Sequence, residues 1–288
     1  MKLKYTLVLM IMMFWLWGCQ DEQVSSTNID IVKLNSERAV DKNDQCFNND
    51  DQGKHDLLML MANSVDHYNL VSGKMGTTLT YQGEESKNEY VYQINIPAYH
   101  SYIYQAASNG LDDQVIFRDD QKMYFFMGKI ADLNNDLNEL INQQMMSVEE
   151  VKQEDNLFKY QELSLQERIA EINISRVAND LFGDTAPYVF PEDIALRQLG
   201  TNFDNYEIKE NETYLGREAC RVEGKISNEL YNNDSNFSLL VDQETGIVLE
   251  YLRTSKDGSV TMKMEKIAID QKDEEDMFVK YISKGSSE

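Results

Sequence analysis

Residues 88–97 read Asn88-Glu89-Tyr90-Val91-Tyr92-Gln93-Ile94-Asn95-Ile96-Pro97. Tyr90, Tyr92, Ile94 and Ile96 fall on one side of an extended chain, and Glu89, Gln93 and Asn95 on the other. That period of two is the mark of a strand with one dry face and one wet face. Pro97 lacks the N–H needed to continue a ladder and ends the run.

The same signature recurs outward in both directions. Residues 74–82 alternate through Met75, Thr77, Leu79 and Tyr81, and the GEES that follows reads as a turn. Residues 99–106, 114–118 and 122–127 read as further strands, separated by NGLDD and DDQ. Beyond the middle of the chain, strands are expected at 205–209, 217–226, 237–241, 247–253 and 259–269. Gly246 can take the positive φ of a hairpin loop, and Val260, Met262 and Met264 share a face. Strands at this short spacing argue for an antiparallel meander with one buried face.

Helical spacing interrupts the strands. Leu57, Leu60, Met61 and Val65 form one stripe over residues 56–69, with Asp56 placed to cap it. Residues 131–144 space Leu133, Leu137, Leu140 and Ile141 helically, and residues 164–182 do the same with Leu165, Ile169, Ile172, Val177 and Leu181. Pro191 opens a short third helix that Gly200 ends. Helices set inside a meander must lie across its face or its open end. The expected fold class is therefore α+β: a half-open antiparallel β-barrel of about ten strands with helices packed on the concave face.

The N-terminus carries a different message. Lys2 and Lys4 precede an apolar run from Leu7 to Trp17, which stops at Gly18-Cys19. This is the layout of a secretory signal cut before a cysteine, giving a signal peptide over residues 1–18 and lipidation of Cys19. Leu16, Gly18 and Cys19 fit the usual lipobox, while Trp17 is bulky where a small residue is normal. The alternative is an uncleaved anchor, although the run is well short of the ~20 residues that span a bilayer. Both place the body of the chain on the extracytoplasmic side of a cell membrane. Residues 19–54, polar and rich in Asn, Asp and Ser, read as a flexible tether. Residues 55–285 read as one domain.

Charge narrows the partners. Acidic residues number 50 against 27 Lys and Arg, a formal net charge of −23. Loss of Lys2 and Lys4 with the signal takes the exported part to about −25. Such a surface repels phosphate backbones, so no nucleic-acid partner is expected. Glu84-Glu85, Glu149-Glu150 and Glu274-Glu275-Asp276 read as solvated surface. Of three cysteines, Cys46 and Cys220 remain after Cys19, an even pair in an exported chain. A bridge between them would close a long loop and contribute roughly 4–5 kcal/mol on the entropic account. Two unpaired thiols are the alternative. His55, His67 and His100 are scattered, so no metal or other cofactor is expected. Nothing matches GxSxG, HExxH or a Gly-rich phosphate loop, and an enzyme is not expected.

Three short motifs remain: Gly216-Arg217-Glu218-Ala219, Val222-Glu223-Gly224 and Val241-Asp242-Gln243-Glu244-Thr245-Gly246. With the helix ending NSVDHYN and the strand–helix–strand order, they make the chain resemble the LolA/RseB-like lipoprotein-carrier superfamily. The resemblance covers nearly the whole exported domain, but its motifs are turns and strands rather than chemistry. It implies a half-barrel cavity that takes a lipid or acylated peptide. Its second implication is an envelope sensor that contacts a membrane protein partner such as an anti-sigma factor. The carriers are soluble, whereas Cys19 implies a membrane partner through the lipid anchor. Alternation nominates Tyr90, Tyr92, Ile94, Met123, Phe125, Leu239, Val241, Met262 and Met264 as cavity lining, since Met and aromatic side chains repack around flexible tails. The competing reading of each is plain core.

Overall fold

In the computed structural model the described residues are 47–107, 112–135, 137–151, 163–170, 176, 185–226, 234–271 and 276–282. Eleven antiparallel strands form one sheet in the order β6-β5-β4-β3-β2-β1-β11-β10-β9-β8-β7. The first meander comprises β1 (Leu70–Tyr81), β2 (Glu84–Asn95), β3 (His100–Gln105), β4 (Asp113–Arg118), β5 (Lys122–Gly128) and β6 (Met146–Glu150). The second comprises β7 (Tyr206–Tyr214), β8 (Arg217–Ile226), β9 (Ser235–Asp242), β10 (Val248–Ser255) and β11 (Gly258–Ile269). Pairing of β1 with β11 fuses the two meanders. The edges β6 and β7 stay apart, so the sheet is a half-open barrel, as the alternation predicts.

That strand order explains the helices. The chain leaves β6 at one edge and enters β7 at the other, ten inter-strand steps of ~4.8 Å away along the sheet. The connection between them therefore crosses a face, and among its described residues Leu165, Val189, Leu196 and Leu199 are buried. It includes α3 (Leu165–Ala170), one turn α4 (Ala186–Val189) and a π-helix (Ile194–Leu199), the last in place of the α-helix expected after Pro191. They share a core with α1 (Asp51–Ala62) and the inner face of the sheet.

Helix α1 starts earlier than the apolar stripe indicates. Asp50, not Asp56, is the cap, with its Oδ1 accepting the Gly53 N–H at 2.8 Å. Phe47 packs against the core and Lys54 is buried, so residues 47–54 belong to the folded unit rather than to a tether. The signal peptide, Cys19 and the tether up to residue 46 lie outside the described residues. So do the tail beyond residue 282 and part of the helix expected over 164–182.

A second core lies on the opposite face. Tyr102, Val115, Phe117, Phe126 and Met146 of β3–β6 pack there beneath Leu133, Leu140 of α2 (Leu137–Asn142), and Phe278 and Tyr281 of α5 (Met277–Ile282). Tyr281 stacks on Tyr102 and His100 on Phe278. The helices thus divide between the two faces, a division that periodicity alone does not draw.

Candidate functional site

Register places all nine nominated residues on the inner face. Tyr92 of β2 lies opposite Ile103 of β3, then Ile116 of β4, then Phe125 of β5, in one cross-strand row. Toward the other edge, Leu239, Tyr251 and Met262 form a second row, and Met264, Met75 and Tyr90 a third. Within these rows burial is graded. Tyr92, Leu239, Val241, Met262 and Met264 are fully buried, and Tyr90 and Ile94 are 3 % exposed. They form packed core beneath α1 and the crossing segment. Met123 and Phe125 are only half-buried, Ile116 likewise, and Met127 is 45 % exposed.

The dry part of the face also carries polar groups: Ser101 Oγ and the Tyr206 hydroxyl are buried with no hydrogen-bond partner among the described residues, while others are partnered. The Tyr92 hydroxyl donates to Met264 Sδ at 3.3 Å, and burial pushes its phenol well above the ordinary value. The Tyr68 hydroxyl donates to the Val189 carbonyl at 2.6 Å, which ties α4 to the stretch joining α1 to β1. Cys220 is buried on β8 opposite Val241; Cys46 lies outside the described residues.

The three motifs behind the family resemblance turn out to be one piece of carpentry. Asp242 Oδ1 accepts the Thr245 N–H at 2.8 Å and its hydroxyl at 2.7 Å, which closes the β9–β10 turn. Arg217, at the start of β8, pairs with the same carboxylate. Gly246 has φ +76°, and a Cβ there would stand 2.7 Å from the Leu60 carbonyl oxygen and 2.9 Å from Met61 Cα. The turn therefore lies directly on the last turns of α1 and seats that helix on the sheet. Gly224 leaves room for the Phe237 ring, whose Cζ would be 2.8 Å from an added Cβ. These residues place the cover; they present no reactive group.

A buried ionic cluster holds the crossing segment to α1. Arg168 of α3 donates to Asn63 Oδ1 at 2.6 Å, to the Ala62 carbonyl at 2.9 Å, and to Glu192 Oε1. Arg176 donates through both terminal nitrogens to Asp66 at 2.6 and 2.7 Å, and its N–H reaches Glu192 Oε2 at 2.8 Å. Both arginine side chains are fully buried. Sequence reading misses them because a charge on a predicted helix defaults to solvent. The capping pair Ser164 and Glu167, which exchange hydrogen bonds at 2.6–3.3 Å, was the available signal for the start of α3.

The outer face of β7–β11 is polar. Arg221 pairs with Glu212 and Glu250, and Lys263 with Glu250. An open depression of about 420 Å³ lies on this side, where Glu207, Lys209, Glu223 and Lys225 surround Leu252 and Phe237.

No protein-family model matches the chain, and no curated protein matches it. Solved structures do. The Pseudomonas aeruginosa MucA/MucB complex is similar at 13 % identity over 78 % of this chain and 60 % of that one, TM-score 0.38. The Mycobacterium tuberculosis lipoprotein LppX is similar at 9 % over 74 % and 94 %, TM-score 0.31. A LolA superfamily protein from Nitrosomonas europaea is similar at 9 % over 76 % and 94 %, TM-score 0.30. The chain spans about 60 % of the MucB-complex chain it matches. The fold itself stands on its strand order and register, not on these likenesses.

Proposed function

We propose that this chain is a membrane-anchored extracytoplasmic lipoprotein that holds an apolar ligand, a lipid or an acylated peptide, against the inner face of its half-barrel. The observation that carries the reading is the row Tyr92–Ile103–Ile116–Phe125. It runs without a polar break from a dry core to half-exposed aromatic and aliphatic side chains on β4 and β5. An apolar floor left open to solvent at one end is where a flexible tail gains by burial, at about 25 cal/mol per Å². Lys2, Lys4, the apolar run and Cys19 supply the export and anchoring half of the proposal. The role is binding rather than catalysis.

Two experiments test it. Cys19→Ser should move the protein out of the membrane fraction or leave an unprocessed precursor; membrane retention of a cleaved form would contradict the anchor. Displacement of a polarity-sensitive apolar dye by palmitate methyl ester should be saturable in the parent protein and lost in Phe125→Asp at unchanged melting temperature. Unsaturable displacement would contradict the apolar site.

One observation favours a second reading. Seven of the nine nominated residues are filled core at 0–3 % exposure, which leaves the centre of the inner face to structure. A sensor that contacts a membrane protein partner through its outer surface needs no more than that. Co-purification of a membrane protein with lipid-free protein would support it.

A further inference from the structure

Arg253 is a cation in an unusual place for so acidic a chain. It lies on the inner face of β10, directly opposite Phe237 of β9 and Val260 of β11, with Leu79 of β1 next along the row. Phe237 is buried, while Val260, Leu79 and Ile226 are half-buried. Arg253 thus stands where the dry inner face gives way to its wet rim. Its neighbours are neutral. Nε donates to Ser235 Oγ at 3.0 Å, and the guanidinium also bonds the Tyr251 hydroxyl, whose phenol is raised chiefly by burial. Among the described residues, ion pairs involve other arginines and lysines, and none brings a carboxylate within ion-pair distance of Arg253.

A second polar group at the same spot lacks its complement. The Tyr251 hydroxyl donates to Gln198 Oε1 at 3.3 Å, from the π-helix above. Gln198 Nε2 is buried and has no hydrogen-bond partner among the described residues. A buried donor without an acceptor costs free energy, and a half-buried guanidinium without an anion leaves strong, fork-shaped donor capacity unused. Both deficits are donors, and both are met by one anion. Around them lie apolar side chains that suit a hydrocarbon tail.

We propose that Arg253 and Gln198, braced by Ser235 and Tyr251, form a head-group site at the rim of the inner face, and that the ligand is an amphiphile with one acyl chain and a terminal anionic head. The inference rests on the apolar-ligand reading above in taking the inner face as the ligand's surface. It seats the tail, however, on the half-buried Val260, Leu79 and Ile226 beside Arg253 on β10, five strands from β4 and six from β5, where the open floor lies. The general acidity of the surface fits the choice: an anion is repelled from most of the exterior, and Arg253 offers it a counter-charge at this rim. Carboxylate and phosphate heads share the required chemistry.

Dye displacement with matched ligands separates the two claims. The parent protein should bind palmitate at least ~10-fold more tightly than palmitate methyl ester, the size expected of a charge-assisted hydrogen bond that the ester cannot make. Arg253→Gln should abolish that ratio and leave ester affinity unchanged, and Arg253→Lys should restore part of it. Gln198→Leu should lower the ratio independently, with thermal melting as the check on folding for each variant. Lysophosphatidic acid in place of palmitate identifies the preferred head by which of the two binds tighter. Equal affinity for acid and ester in the parent, or a ratio retained in Arg253→Gln, overturns the head-group site while ester binding still upholds the apolar one. Competition by millimolar inorganic phosphate as effective as palmitate would overturn the amphiphile. Failure of acid and ester alike overturns both readings.

Discussion

The two ends of the sheet obey the same alternation and bury opposite faces. Over β7–β11 and β1 the dry side is the inner one, under α1 and the crossing segment, and the outer side carries a ladder of ion pairs. Over β3–β6 a tight core lies on the outer side, under α2 and α5, and on the inner side burial falls off from Ser101 and Ile103 of β3 to the half-buried Ile116, Met123 and Phe125 of β4 and β5. β5 shows the exchange in consecutive residues: Phe126 is fully buried outward, and Phe125 half-buried inward. Alternation fixes which side chains share a face, but only the helices decide which face stays dry. At that end the described helices leave the inner face half-covered.

Substitutions can break this comparison directly. The largest effect is expected at Tyr92, at the dry middle of the inner row. Tyr92→Asp places a charge with no partner in packed core and should cost ~4 kcal/mol or more, seen as an unfolded protein by circular dichroism. A folded variant that merely loses ligand would show that the middle of the face is wet. Next comes the ionic cluster. Arg168→Met removes the guanidinium that pairs with the buried Glu192, and a loss of ~3–5 kcal/mol in urea unfolding is expected.

A matched pair sharpens the contrast between the faces. Phe117→Ala empties a fully buried position on the outer side of β4 and should cost ~3–5 kcal/mol. Phe125→Ala, one strand away on the inner side, should cost about 1 kcal/mol while weakening binding of an apolar dye. Equal destabilisation by the two would erase the distinction. The smallest effect is at His67, beside the cluster. Burial, opposed by Asp66 and reinforced by Arg176, holds its imidazole below the ordinary value of 6.5. A depressed histidine favours the neutral folded state, so stability is full above pH 6.5 and declines as pH falls below it. His67→Gln should flatten that decline, read as a smaller drop in melting temperature between neutral and mildly acidic buffer.

Much of this was legible in the residues. The strands of both meanders announce themselves, β2 and β11 most clearly, because each alternates strictly through a buried stretch, Tyr90–Ile94 in β2 and Met262–Met264 in β11. β6 does not: of Met146–Glu150 only Met146 is buried, and Glu149 and Glu150 are exposed as expected yet paired to β5. An edge strand held by backbone pairing leaves little trace in hydrophobic pattern. α5 is equally silent, a six-residue helix whose Phe278 and Tyr281 dock on a face that alternation assigns to solvent. The nominated inner-face residues were found by period alone. Arg168, Arg176 and Arg253 were not, because sequence gives no sign that a charged side chain will point inward until topology brings its neighbours together.

The measurement that tests the account most directly is native mass spectrometry of the protein released from membranes, with organic extraction of whatever it carries. The account predicts a stoichiometric amphiphile that remains bound in the parent and is lost from Phe125→Asp. A clean ligand-free mass, unchanged after incubation with membrane lipids, would contradict it.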